Sequence, residues 1–292
     1  MAARAGLRHR PRSAVPNFDR GTGVKFRRIA FVAGFLAAGS LGIVPVAPFA
    51  AETAKPAAKP AISAEASAAL LRMGETLRAK QFSFQASTIR VYSDAGGDFL
   101  HIFHRMNVVV QRPNHLLASS TGDDGTLKIA FDGKTAYVYS PQQNKYAAIA
   151  VPGGTIEAML KEAVGRLGVD FPLADFLSEA PNKAFLTGVT AGRVVNTVAI
   201  DGNPYLHLFF NQPPGIELEL WLSKNEQSLP ARLIVTYLNL PGQPNFIAEF
   251  SDWNFAVHPS AADFAFQPPA GAQRVALKPV QAPPPEQAKG AK

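Results

Sequence analysis

The sequence predicts a mainly β (α+β) protein, about ten to eleven antiparallel strands curled into a barrel or a strongly bent sheet and capped by amphipathic helices. Three observations predict it. Runs with a period of two fill most of the chain between residues 81 and 255. Turn signals separate these runs: Asp94-Ala95-Gly96-Gly97-Asp98, Asp123-Asp124-Gly125, Asp132-Gly133, Asp201-Gly202 and Pro241-Gly242. Two stretches with helical spacing, one before the strands and one among them, carry apolar stripes that need an apolar surface to cover.

The N-terminus reads as an address. Residues 1–28 are basic, Ile29 to Val46 carry no charge, and Ala47-Pro48-Phe49-Ala50-Ala51 is small and apolar. This order predicts a signal peptide over 1–50, cleaved near Ala50, and a periplasmic domain. An uncleaved membrane anchor is the rival reading, and Arg27-Arg28 leaves the twin-arginine route open beside the general one. Glu52 to Ile62 is rich in Ala, Lys and Pro, so 51–62 is expected to be a linker.

Charge follows the same division. The chain has 29 basic and 22 acidic residues, and eight of the basic and one of the acidic lie in the first 50. The remainder is balanced, which excludes an electrostatic nucleic-acid binder. Zero cysteines exclude a disulfide scaffold, a thiolate metal site, a Cys nucleophile and an N-terminal lipid anchor.

Ser63 is the expected N-cap of a first helix that carries Leu70, Met73 and Leu77 on one stripe and ends near Lys80. Strands follow: Phe82 to Ser87, Phe99 to Arg112, His115 to Thr121, Leu127 to Phe131, Ala136 to Ser140 and Tyr146 to Val151. Thr155 then caps a helix whose Ile156, Met159, Leu160, Ala163, Val164 and Leu167 form one wide stripe, with Gly168 as its stop. A shorter helix is expected over Leu173 to Leu177. Strands resume over Val194 to Ile200, Tyr205 to Asn211, Ile216 to Leu222, Ala231 to Asn239 and Phe246 to Phe255. The folded domain is placed at 63–274, with a Pro-rich disordered tail over 275–292.

The stretch Gln111-Arg112-Pro113-Asn114-His115, followed by Phe131-Asp132-Gly133-Lys134-Thr135 and Tyr137-Val138-Tyr139-Ser140-Pro141, resembles periplasmic lipoprotein carriers of the LolA type. A closer resemblance is to an uncharacterised family of predicted exported bacterial proteins with that fold. It rests on the Asp-Gly-Lys-Thr region, Pro172 to Asp175, Ser251 to Trp253 and the ending Phe266-Gln267-Pro268-Pro269-Ala270-Gly271. The resemblance implies a half-barrel with a lid over an apolar cavity that takes acyl chains. It also implies that Arg112 reaches the lid; the alternative is a strand-end Arg with its head in water.

Catalytic patterns are missing. No Gly-Xaa-Ser-Xaa-Gly elbow occurs, and Gly133-Lys134-Thr135 lacks the first glycine of a phosphate loop. His101 and His104, three apart on a strand, face opposite ways and cannot share a metal. Trp221 and Trp253 could stack on sugars or pack a sheet. The expected function is therefore non-enzymatic, with no metal and no cofactor: a carrier for a lipid or lipoprotein acyl chain. The cavity and lid candidates are Phe84, Phe103, Arg112, Ile156, Met159, Leu160, Val164, Leu167, Leu218 and Leu220. An envelope interaction or sensor module of the same fold, with a filled interior and a protein partner, is the alternative.

Overall fold

The computed structural model describes residues 61–279 except Ala95 and Asp170. The expected signal peptide, most of the linker and the tail beyond residue 279 lie outside the described residues. Helix α1 (Ala64–Leu77) starts where Ser63 Oγ accepts the Ala66 N–H at 3.2 Å. It turns Ala66, Ala69, Leu70, Met73 and Leu77 inward and ends before Lys80. Six strands follow: β1 (Gln81–Ser93), β2 (Phe99–Gln111), β3 (His115–Gly122), β4 (Gly125–Phe131), β5 (Thr135–Ser140) and β6 (Lys145–Ala150).

The middle is helical. Helix α2 (Ile156–Leu160), capped by the Thr155 hydroxyl, runs into a π-helical segment, Lys161–Arg166. A 3-10 turn (Ala174–Leu177) and a short α3 (Pro181–Phe185) come next, and the sequence predicts only the first of these. Strands β7 (Ala191–Ile200), β8 (Asn203–Gln212), β9 (Ile216–Ser223), β10 (Pro230–Tyr237) and β11 (Asn245–Asn254) complete the expected set. A two-residue β12 (Gln273–Arg274) adds to it in parallel with β6.

All strands join one sheet in the order β12-β6-β5-β4-β3-β2-β1-β11-β10-β9-β8-β7. Its spine is the long β1–β2 pair, and β1 also pairs with β11, which brings the two halves of the chain side by side. The sheet curls around the helices and stays open between β12 and β7, so it is an incomplete barrel. One apolar core lies between the inner sheet face and the helices. The folded body runs past the expected boundary at 274. Val275 N–H donates to Tyr146 O at 2.8 Å, and Leu277 packs on the core, because β6 needs a neighbour on its outer edge.

Candidate functional site

Arg112 stands at the bottom of β2, where its backbone N–H donates to Lys80 O at 2.7 Å. That bond fixes the strand end beside the end of α1. The guanidinium then reaches two helix-end carbonyls, groups that no partner within their own helices satisfies. Its Nε and one terminal nitrogen donate to Leu77 O, the last residue of α1, at 3.3 and 3.0 Å. The other terminal nitrogen donates to Leu177 O, the last residue of the 3-10 turn, at 2.9 Å. The cation also lies 5.9 Å from the centre of the Phe82 ring.

The neighbouring Pro113 O accepts the Ile156 N–H at 2.8 Å, the first amide of α2. Glu157 of α2 in turn accepts the Glu179 N–H at 3.1 Å, just beyond the 3-10 turn. Two adjacent residues in the turn after β2 thus hold α1, α2 and the 3-10 turn together. Burial pushes the Arg112 pKa down from its ordinary value, while the carboxylates of Glu179 and Glu157 oppose that shift and Arg78 adds to it. The hydroxyl of Ser178, next to Leu177, is buried with no hydrogen-bond partner among the described residues.

Beneath this clamp lies the interior. Phe84, Ile156 and Met159 are 1% exposed and Leu220 0%; Leu160, Val164 and Leu218 are also buried, and Leu167 is half-buried. A chain of rings crosses the space: Trp253 on Phe84 at 4.6 Å, then Phe84–Phe250, Phe250–Phe176, Phe176–Phe185 and Phe185–Phe210, each with centroids 5.2–6.3 Å apart. Side chains of a cavity wide enough for an acyl chain would face free space. These side chains face one another instead, so the interior is closed and filled by the helices. A groove of about 520 Å³ opens at the edge strand β6, bordered by Leu167 and the core residue Ile149.

Phe103 is a correction. Expected in the interior, it is 53% exposed. Along β2 the buried positions are Met106, Val108 and Val110, and the register sets Val108 opposite Phe84 and Met106 opposite Ala86. Phe103 is out of phase with them by one residue and falls on the outer face. It also lies past the end of β3, whose last partner is His104. Phe82, Phe176, Phe210 and Phe250 are among the interior residues that the cavity candidates left out. The alternation of β1, β8 and β11 carried the signal for three of them.

His104 binds Asp124 at 2.6 Å, and among the described residues no group of three or more His, Asp or Glu side chains forms a metal cradle. Trp221 stacks on His207 at 4.1 Å and lies under Arg232, while Trp253 belongs to the interior. Both therefore pack the sheet.

Residues 66–278 match the family described as Predicted periplasmic protein (DUF2092). The chain belongs to that family. Among solved structures, this DUF2092 protein is similar to the Mycobacterium bovis protein LprF. The two are 13% identical, the match covers 68% of this chain and 98% of that one, and the TM-score is 0.42. It is similar also to the Mycobacterium tuberculosis lipoprotein LppX (16% identity, 67% and 99% coverage, TM-score 0.40). A LolA superfamily protein from Nitrosomonas europaea is another (12% identity, 68% and 97% coverage, TM-score 0.36). No curated protein is significantly similar to the chain.

Proposed function

We propose that this DUF2092 protein is a non-enzymatic periplasmic binding or carrier protein for a hydrophobic ligand, a lipid or a protein-linked acyl chain. In this reading the closed, filled interior is the ligand-free state. The observation that carries it is the Arg112 clamp, one half-buried cation holding two helix-end carbonyls at the edge of an apolar interior. Releasing the clamp frees the helical layer from the sheet and uncovers apolar surface. An acyl chain entering that space gains about 0.8 kcal/mol per buried methylene. Delivery to the periplasm would follow removal of residues 1–50, so the exported protein should begin near Ala50 or Ala51 on N-terminal sequencing.

The test is titration of delipidated protein with an environment-sensitive fluorescent fatty acid, with stability followed in parallel. Saturable binding that responds to Arg112→Leu is expected. Absence of saturable binding by well-folded protein would sink the carrier reading. One observation favours the second reading, an envelope interaction module: the interior is filled, while Phe99, Leu100 and Phe103 at the top of β2 are 41–53% exposed. That reading expects binding of a protein partner to this patch and none of the probe.

A further inference from the structure

The groove at the edge of the sheet lies between β6, the π-helical segment and the chain that leaves β12. Its existence follows from local sequence. Strand β6 offers Ala147, Ala148 and Ala150 there, and alanines leave unfilled the space that larger side chains would occupy. The walls are apolar at Ile149, Leu167 and Leu277. The volume of about 520 Å³ falls within the range of small-ligand sites.

The polar groups of the groove collect on one side. Arg166 is engaged with Glu162, so that pair is neutral. Arg274 has no ion-pair partner among the described residues and is exposed on the rim. The groove therefore carries one uncompensated positive charge. The backbone adds a donor. Tyr146 turns its C=O to the outer edge of β6, where it accepts the Val275 N–H. Alternation along the strand turns the Ala148 N–H and C=O to the same edge, past the last residue of β12, where no strand covers them.

We propose that this groove binds a single-chain anionic amphiphile, a long-chain carboxylate. The carboxylate accepts from the Arg274 guanidinium and the Ala148 N–H, and the chain lies along Ile149, Leu167 and Leu277. Charge complementarity selects this occupant over a neutral lipid, which would leave Arg274 uncompensated, and over a cationic one, which Arg274 would repel. The site opens at the sheet edge, on the outer side of core residues Ile149, Leu167 and Leu277, and does not depend on the clamp opening.

A hexadecanoic acid carrying a photoreactive diazirine, crosslinked to the full chain and mapped by peptide mass spectrometry, tests this. Labelling is expected in the peptides that contain Ala147 to Ala150 and Arg274 to Leu277. Arg274→Glu should weaken it about tenfold, and the matching methyl ester should label poorly. Ala148→Trp should fill the groove and abolish labelling there; its fold is checked by circular dichroism, and Arg274→Glu supplies the test should it misfold. Labelling confined to interior peptides such as those of β1 and β8 overturns the groove site while leaving the carrier reading in place. Labelling of the groove that ignores Arg274→Glu, or that is equal for the ester, overturns the assignment of an anionic ligand. Labelling nowhere overturns both.

Discussion

Arg112→Leu removes three donated hydrogen bonds and leaves two helix-end carbonyls, Leu77 O and Leu177 O, without their donor. A hydrogen bond from a charged donor contributes about 1.5–3 kcal/mol. The low end applies here, because Arg112 is only half-buried, its replacement relieves the partial desolvation of the cation, and leucine fills part of the space. Two acceptors at about 1.5 kcal/mol give about 3 kcal/mol lost from the closed state. That raises the population with the helical layer released by about 100-fold. Hydrogen exchange reads this directly. Amides of α1 and of residues 174–177 should exchange about 100-fold faster, while those of β9, β10 and β11 hardly change. Trp253, stacked on Phe84 and packed near Phe250, should report the same loosening as a red-shifted emission. Unchanged protection in α1 and the 3-10 turn would refute the clamp. So would a uniform acceleration across all strands, since that describes global destabilisation and not release of a lid.

Leu160→Asp places a carboxylate at a buried position on α2 and should cost at least about 3 kcal/mol by denaturant titration; a loss under 1 kcal/mol would mean the α2 stripe is not held against the core. Phe103→Ser should change stability by no more than about 0.5 kcal/mol, since the ring stands on the outer face, whereas an interior ring would cost about 3–5 kcal/mol. Gly122→Ala should destabilise by about 2 kcal/mol, because the new Cβ would meet the Phe103 carbonyl oxygen at 2.0 Å; a neutral result in thermal unfolding would contradict that packing. Glu162 is held below the usual carboxylate range by its hydrogen bond from Arg166. Its contribution is intact above the pKa of the unfolded chain and is lost as pH falls through the folded value, so NMR titration should show the Glu162 carboxyl moving up in Arg166→Gln.

The sequence by itself determined the elements and their caps. Period-two alternation and Asp-Gly punctuation are local signals, and eleven strands lie where they point. Ser63 and Thr155 cap their helices with side-chain bonds three residues long, which neighbouring residues suffice to set. The inward stripe of α2 was legible for the same reason. Faces and partners were not. A strand's two faces differ by one residue of phase, so the position of Phe103 was decided only when β2 took its register on β1 and ran beyond β3. Strand β12 has two residues, too few to carry a period, and exists because the edge of β6 lies beside it. For Arg112 the family resemblance implied a reach to the lid, while the residue by itself reads equally as one cation at a strand end. Its acceptors come from 35 and 65 residues away, and only the packing of α1 and the 3-10 turn against the sheet brings them to it. Closure of the interior was likewise a tertiary outcome. Rings from β1, β8, β11, the 3-10 turn and α3 meet there, and whether they leave a space depends on how those distant segments pack together.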